Sequence, residues 1–377
     1  MTDAPPPATY AVIAGGGTAG HVLPGLAIAQ ALVDAGHDQA SIRFVGSARG
    51  LEVDLVPEAG YALEALPGRG IQRKLSLANV AAAFGIVRAT LQAIGLLRRW
   101  RPKVLLVLGG YAAAPCVVAG ALWRVPMVVA EQNARAGLAN RLAGRFARAC
   151  AVPFPETDLP RTEVTGNPVR AELLALDPGR DRARARAELG LPDDRVVVAA
   201  FSGSLGARSI NRAVHALAGR WAARGDVAIR HVTGSRDWDE FRTVPDEGPA
   251  DGAALVYQTV AYEQHMDLLL AAADVVVSRA GGTTVAELAV VGVPAVLVPL
   301  PIATRDHQTA NAQALVRGGA ARLVPDAELD VDRLEAELGP LVDDAELRTT
   351  MAAAARAQGI PDAAARVAAL LEREARS

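Results

Sequence analysis

Four stretches of the sequence carry residue types suited to chemistry on an anionic, hydroxylated ligand. The richest is Ala280-Gly281-Gly282-Thr283-Thr284-Val285-Ala286-Glu287, which follows the apolar run Asp274-Val275-Val276-Val277-Ser278 and opens a helical pattern. A glycine pair lets a ligand approach the backbone. The free N–H groups of a helix start, with about half a unit of positive charge, suit a phosphate. Glu287 stands one turn further in, where a carboxylate accepts hydrogen bonds from ribose hydroxyls. Strand, glycine loop, helix and acid together read as a nucleotide site, although a glycine-rich turn without a ligand fits the octapeptide taken alone. Near the N-terminus, Gly15-Gly16-Gly17-Thr18-Ala19-Gly20-His21 repeats the strand–loop–helix logic. His21 is a candidate general base because its unperturbed pKa is near neutrality, and a histidine that caps or packs the loop fits the same position. Glu131-Gln132-Asn133 stands at the tip of the strand 127–130, the end at which open α/β sheets bind ligands. After the strand 295–298 come Asp306-His307-Gln308 and Asn311; helix capping by Asp306 is the plainer account of that cluster.

Other chemistries lack their residues. The strand 42–45 ends in Gly46-Ser47 with no acid on its tip, which weakens a nicotinamide reading. There is no HExxH, CxxC or P-loop pattern. Ser204 lies in Gly-Ser-Leu-Gly, which is not a nucleophile elbow. The triplets Asp237-Trp238-Asp239 and Asp330-Val331-Asp332 follow no clear strand, and Asp332 reads as a helix cap. Neither a metal nor a cofactor is expected.

Positioning these residues takes a repeated strand–helix framework. The run 105–108, Gly109-Gly110, a helix, Val125-Pro126 and a strand match the run 275–277, Gly281-Gly282, a helix, Val293-Pro294 and a strand. Ser202-Gly203-Ser204-Leu205-Gly206-Ala207-Arg208 mirrors the first glycine loop after the strand 196–201. The repetition implies two similar α/β domains with a cleft between them. Thr165-Gly166-Asn167-Pro168-Val169-Arg170 reads as the junction, followed by a charged helix over 171–189. A final amphipathic helix over 363–376 can pack across either domain.

Length and composition agree: 377 residues suggest two domains, and 51% apolar with 4% aromatic content implies Ala/Val/Leu cores. A net charge of −2 gives no global pull towards nucleic acid. Cys116 and Cys150 fit a reducing compartment better than a disulfide framework. The opening MTDAPPPATY has neither the basic nor the apolar region of a signal peptide. Val104 to Trp123 is uncharged, yet Gly109-Gly110 and Pro115 make it a buried strand, a loop and a helix. Charge is uneven: residues 65–130 hold no Asp or Glu but nine Arg and Lys. Within that stretch Leu77, Val80, Phe84, Val87, Leu91 and Ile94 form one helical face, read as core. The preceding loop, Gly70-Ile71-Gln72-Arg73-Lys74-Leu75, suits either an anionic membrane surface or plain solvent.

In this order, the motifs resemble the MurG family over nearly the whole chain. They are Gly16 to His21, Gly109-Gly110-Tyr111, Glu131-Gln132-Asn133, Gly166 to Arg170, Gly203 to Arg208, Ser278 to Glu287, and Gln308 with Asn311. The resemblance implies the GT-B glycosyltransferase architecture, two Rossmann-like α/β domains facing a cleft. Residues 1–167 would form an N-terminal acceptor- and membrane-facing domain, against which a C-terminal helix 363–377 would pack back; residues 168–362 would bind the UDP-sugar. It implies transfer of N-acetylglucosamine from UDP-N-acetylglucosamine to the 4-hydroxyl of the muramyl sugar of lipid I, forming lipid II, by a peripheral protein on the cytoplasmic face of the membrane. Gly282, Thr283, Thr284, Val285, Ala286 and Glu287 would contact the nucleotide, with Glu287 on the ribose. Ser204 and Arg170 would meet the diphosphate, a backbone group near Glu263 the uracil, and Gln308 the sugar hydroxyls. Thr18, Ala19, Gly20 and Asn133 would line the donor sugar and the acceptor side. The expected partners are thus UDP-N-acetylglucosamine, lipid I and an anionic membrane surface, with no nucleic acid. The sequence departs from the family at Ala130, where His usually precedes Glu-Gln-Asn, and at Ala112-Ala113-Ala114, where Ser-Gly is common. His21 and Glu131 remain as catalytic candidates. A UDP-N-acetylglucosamine 2-epimerase shares the layout and the donor, and a non-catalytic UDP-sugar-binding protein is the third reading.

Overall fold

The structure, a computed structural model, describes residues 8–67, 77–242 and 254–376. The chain divides into two compact units after Arg170; the second spans Ala171–Ile360, and the segment from Pro361 onward returns to the first.

The first unit begins β1 (Ala11–Gly15), α1 (Ala19–Asp34), β2 (Ile42–Ser47), α2 (Glu52–Glu58), β3 (Ala62–Leu66) and α3 (Leu77–Trp100). It continues β4 (Val104–Gly109), α4 (Ala113–Leu122), β5 (Met127–Ala130), α5 (Leu138–Gly144), β6 (Ala149–Val152) and β7 (Thr162–Val164). The second unit runs α6 (Ala171–Leu174), α7 (Pro178–Leu189), β8 (Val196–Phe201), α8 (Arg208–Arg220), β9 (Val227–Val232), α9 (Trp238–Phe241), β10 (Val256–Val260) and α10 (Met266–Ala272). Then follow β11 (Val275–Ser278), α11 (Gly282–Val291), β12 (Ala295–Leu297), α12 (His307–Arg317), β13 (Ala321–Leu323), α13 (Val331–Asp343) and α14 (Ala345–Gln358), before α15 (Ala363–Glu374).

Each unit is built on a parallel sheet, ordered β3-β2-β1-β4-β5-β6-β7 in the first and β10-β9-β8-β11-β12-β13 in the second. Helices cover both faces, so β4 is buried along its whole length and its sequence, Val-Leu-Leu-Val-Leu-Gly, has no polar alternation. The strand order reverses between β1 and β4 and between β8 and β11. At such a switch point the loops at the carboxyl ends splay apart and leave room for a ligand. All four glycine loops of the sequence leave these four strands.

Several sequence expectations change in detail. The charged segment 171–189 is broken: Asp177 accepts hydrogen bonds from the N–H groups of Gly179 (2.9 Å) and Arg180 (3.4 Å), Pro178 starts α7, and Gly190 ends it with φ of 66°. Asp330, not Asp332, caps α13, taking the Arg333 N–H at 2.7 Å. The short strands β3, β6, β7 and β13, three to five residues each, escaped the apolar-run criterion.

The largest correction concerns α3. Ile94 packs on the core, but Phe84 (75% exposed), Val87 (57%) and Leu91 (66%) face solvent. Ala89, Ala93, Leu96 and Leu97 make the buried stripe instead. Small alanines let the helix sit close, and the large side chains are left outside. The loop 70–75 and the side chains of Leu77 and Val80 lie outside the described residues.

The last helix, α15, packs on α1 and on β5 in the first unit. Val367, Ala368, Leu370 and Leu371 join Ile28, Ala29 and Leu32 in one buried cluster. His37 pairs with Glu372 at 2.9 Å, and Arg373 pairs with Glu163.

Candidate active site

In the first unit the loops after β1 and β4 touch backbone to backbone. A Cβ on Gly110, whose φ is +81°, would lie 2.5 Å from the Gly16 carbonyl oxygen, so only glycine fits this approach. Thr18 takes the N-cap position of α1, which places Ala19 and Gly20 at the open helix start and His21 in its first turn. The Thr18 hydroxyl and His21 Nδ1 are 3.2 Å apart. His21 Nε2 and both terminal atoms of the Asn140 side chain converge over Gly109, each 3.2–3.3 Å from where a Cβ there would stand. Burial pushes the His21 pKa below its usual value, partly opposed by the charge of Glu131, a hydrogen bond with the Gly16 backbone and the charge of Glu52. The imidazole is therefore neutral at pH 7 and able to accept a proton.

Glu131 occupies a different environment. It is 4% exposed and accepts five hydrogen bonds. Oε1 takes the Gln132 and Asn133 N–H groups at 3.0 Å and Asn133 Nδ2 at 3.1 Å; Oε2 takes the Gly137 N–H at 3.1 Å and Asn140 Nδ2 at 2.8 Å. A carboxylate with every lone pair engaged by a donor folds its own loop. The Glu131 carboxylate is thus engaged by its own loop and by α5, and it acts on its surroundings through Asn133, Asn140 and the field at His21. Ala130, which replaces the family's usual His, is 4% exposed and belongs to the core cluster of Leu108 and Val128. Arg170 is half-buried at the end of the unit.

In the second unit Gly206 (φ +77°) lies against the end of β9: a Cβ there would be 2.0 Å from the Thr233 carbonyl oxygen. This holds the loop after β8 with the Ser204 side chain exposed and its carbonyl accepting the Ser235 N–H at 3.1 Å. The loop after β11 is held from behind by Arg279. Its guanidinium donates to the Val298 and Pro299 carbonyls (3.0 and 3.1 Å), to Asp326 (2.6 Å) and to the Ser209 hydroxyl (3.1 Å). Asn311, fully buried, donates to the Ala280 carbonyl at 3.1 Å. Arg279 carries no role of its own in the motifs; its place between a buried strand and a glycine pair is the one signal of it in the sequence.

Gly281 is the N-cap of α11, so the N–H groups of Gly282, Thr283 and Thr284 open the helix. Thr283, Thr284, Ala286 and Glu287 are half-buried on its accessible side. Val285 differs: its side chain is 2% exposed in the unit's interior and its N–H is given to the Gly281 carbonyl at 2.9 Å. It anchors the helix. Gln308 Oε1 accepts the Leu300 N–H at 2.9 Å and so shapes the loop after β12. Arg305 (φ 57°) and Asp306 (φ 53°) enter α12 in the left-handed region, strain that clusters at functional loops. Asp306 holds the N-cap position, but its carboxylate takes the Thr309 hydroxyl at 2.6 Å and not a backbone N–H. Glu263, beyond β10, is buried; its carboxylate pairs with Arg230 at 2.8 Å and takes the His265 N–H at 3.1 Å. Any base reading there falls to backbone groups.

Asp237 is also buried and structural, bonded to Arg236 at 3.0 Å and Asn211 at 3.2 Å. Among the described residues no group of three or more His, Cys, Asp or Glu side chains could hold a metal ion. No helix among them is long and apolar enough to cross a membrane.

Two parallel-sheet units, each with glycine loops feeding helix starts at its switch point, define the GT-B class of nucleotide-sugar enzymes. The glycosyltransferase family 28 N-terminal domain matches residues 11–152, and the family's C-terminal domain matches residues 197–367. The chain is 39% identical to the UDP-N-acetylglucosamine–N-acetylmuramyl-(pentapeptide) pyrophosphoryl-undecaprenol N-acetylglucosamine transferase of Desulforudis audaxviator, over 96% of this chain and 97% of the relative. The identically named protein of Mycolicibacterium smegmatis is 42% identical over 95% of this chain and 92% of its own. Among solved structures, Acinetobacter baumannii MurG superposes with a TM-score of 0.76 at 28% identity, covering 97% of this chain and 99% of that one. A UDP-N-acetylglucosamine 2-epimerase from Neisseria meningitidis shares the fold (TM-score 0.66, 13% identity, 97% and 99% covered). This chain belongs to glycosyltransferase family 28, and it is a hexosyltransferase.

Proposed function

We propose that the chain transfers N-acetylglucosamine from UDP-N-acetylglucosamine to the 4-hydroxyl of the muramyl sugar of lipid I, giving lipid II and UDP. The supporting observation is whole-chain similarity to transferases of that name, joined to an open helix start at each switch point. The second unit, with Arg170 of the 165–170 junction, holds the donor. The N–H groups of Gly282, Thr283 and Thr284, with Ser204 and Arg170, take the diphosphate; Glu287 takes the ribose hydroxyls and Gln308 those of the sugar. Ala286 shapes the helix surface that Val285 anchors from the interior, and backbone groups near Glu263 read the uracil. The first unit supplies the base, with Thr18, Ala19, Gly20 and Asn133 around the reacting sugars.

His21 removes the proton from the acceptor's 4-hydroxyl as that oxygen bonds to the anomeric carbon. The bond from that carbon to the diphosphate breaks, its electron pair leaves with UDP, and the configuration inverts. Backbone N–H groups at the helix start stabilise the charge that develops on the leaving diphosphate.

The acceptor is lipid-linked, which favours a peripheral protein on the cytoplasmic membrane face. The exposed side chains of Phe84, Val87 and Leu91 on α3, with Leu122 and Trp123 at the end of α4, supply an apolar surface. Arg88 and Arg98 on α3 and Arg124, just beyond α4, are also exposed, with no acid between residues 65 and 130.

The test is incubation with radiolabelled UDP-N-acetylglucosamine with and without a lipid I analogue. Label in the lipid fraction only when acceptor is present supports the reading. Conversion of the donor without acceptor supports the epimerase instead, and binding without consumption supports a non-catalytic protein.

A further inference from the structure

Beneath the first glycine loop lies an acid that neither the motifs nor the family comparison singles out. Glu52, the first residue of α2, is 1% exposed. Its Oε2 accepts the Gly17 N–H at 2.7 Å and its Oε1 accepts the Ser47 N–H at 2.6 Å. It thereby ties the end of β1 to the end of β2 at the face where the candidate base stands. Among the described residues it has no ion-pair partner. A buried carboxylate without a cation is expensive, and here two charge-assisted hydrogen bonds and the start of α2 compensate it.

Three glycines make the space. A Cβ on Gly16, Gly46 or Gly50 would stand 2.2, 2.5 or 2.0 Å from the nearest Glu52 side-chain atom. These glycines come from a loop, a strand and a turn, so the vacancy is assembled around the carboxylate from separate parts of the chain. The clamped N–H belongs to Gly17, four residues before His21. The charge that results sits close enough to favour the protonated imidazole.

We propose that Glu52 is a positioning residue for transfer: its carboxylate fixes the first glycine loop and supplies negative charge that supports proton uptake by His21. The proposal rests on the reading of His21 as the base. The groups facing His21 are Glu131 beyond β5, Glu52 from α2, Asn140 from α5 and Thr18 at its own helix start. Only the first two carry charge. The five donors that hold Glu131 come from Gln132, Asn133, Gly137 and Asn140, so the change at Glu52 removes none of its partners.

The experiment is Glu52→Gln in the full chain, followed by NMR titration of the His21 imidazole and by steady-state kinetics across pH. The amide removes the charge and turns an N–H donor toward a backbone N–H. His21 should then titrate at lower pH, and the acid limb of kcat/KM should move down with it. A misplaced loop should lower kcat on the order of 100-fold, while the Kd for UDP stays within about twofold. A His21 titration and a kcat equal to wild type would overturn the proposal. A merely structural role would lower the folded fraction and leave the acid limb in place, which also overturns it. If Glu52→Gln does not fold, Gly50→Ala decides: it keeps the charge but pushes on Oε2, and an unchanged kcat in the folded variant refutes the clamp. A wild-type chain that transfers no sugar contradicts the transferase reading, and the titration still decides the link between Glu52 and His21.

Discussion

His21 and Glu131 show how two residues of equal promise in a sequence part company once their neighbours are known. His21 is neutral because it is buried, and its ring keeps weak partners. Glu131 is spent on five donors. His21→Ala should therefore reduce kcat by about 10²–10⁴-fold with little change in UDP affinity, measured by saturation kinetics and calorimetry. A base must be unprotonated to act, and the His21 pKa lies below the ordinary 6.5, so with His21 in that role the acid limb of kcat/KM should fall below pH 6.5. Glu287→Ala should raise the donor KM on the order of tenfold, the effect of losing hydrogen bonds to a charged acceptor; near-normal donor kinetics would remove the ribose role. The cysteines belong to the core: burial pushes Cys116 to about 12 and Cys150 to about 11. Neither should react with a thiol reagent at pH 8 until the chain unfolds.

At the scale of elements, α3 and α15 carry the informative results. Replacing Phe84 and Leu91 on α3 with Glu should abolish sedimentation with anionic vesicles while leaving the fold intact, because both side chains already face solvent. Leu371→Ala in α15 removes a fully buried side chain from the cluster with Ile28 and Leu32, and should destabilise the first unit by about 2–5 kcal/mol in urea unfolding. In the second unit β9 carries His231, fully buried between Tyr257 (2.8 Å) and Asn211 (3.0 Å). Burial pushes its pKa down to about 3, so the unfolded chain binds its proton first as pH falls through 6.5. Stability should thus decline below pH 6.5, by roughly 2 kcal/mol between pH 7 and pH 5, and His231→Gln should flatten that slope. The long central strands β4, β8 and β11 were legible because burial on both faces leaves unbroken apolar runs. Strands of three or four residues at the sheet edges, such as β7 and β13, leave no such run. The buried face of α3 is not legible in the sequence, because helical periodicity alone does not say whether the alanine side or the bulky side meets the sheet.

For the molecule as a whole, the repeated motif order read from the sequence corresponds to two sheets that share one order over six strands, the first adding β7 at its edge, and each reverses where its glycine loops emerge. The loops were legible as glycine patterns at strand ends. The side chains that hold them were not. Arg279, Asn140 and Glu52 act through contacts 47, 32 and 35 residues away in sequence, and no local pattern announces those distances. The proposed reaction is inverting transfer of a sugar to the 4-hydroxyl of a lipid-linked acceptor by a family 28 enzyme. Its most direct test is NMR determination of the linkage in the purified product. Inverting transfer gives a β-1,4 link between N-acetylglucosamine and the muramyl sugar. An α link, attachment at another hydroxyl, or an epimerised nucleotide sugar with no lipid product would contradict it.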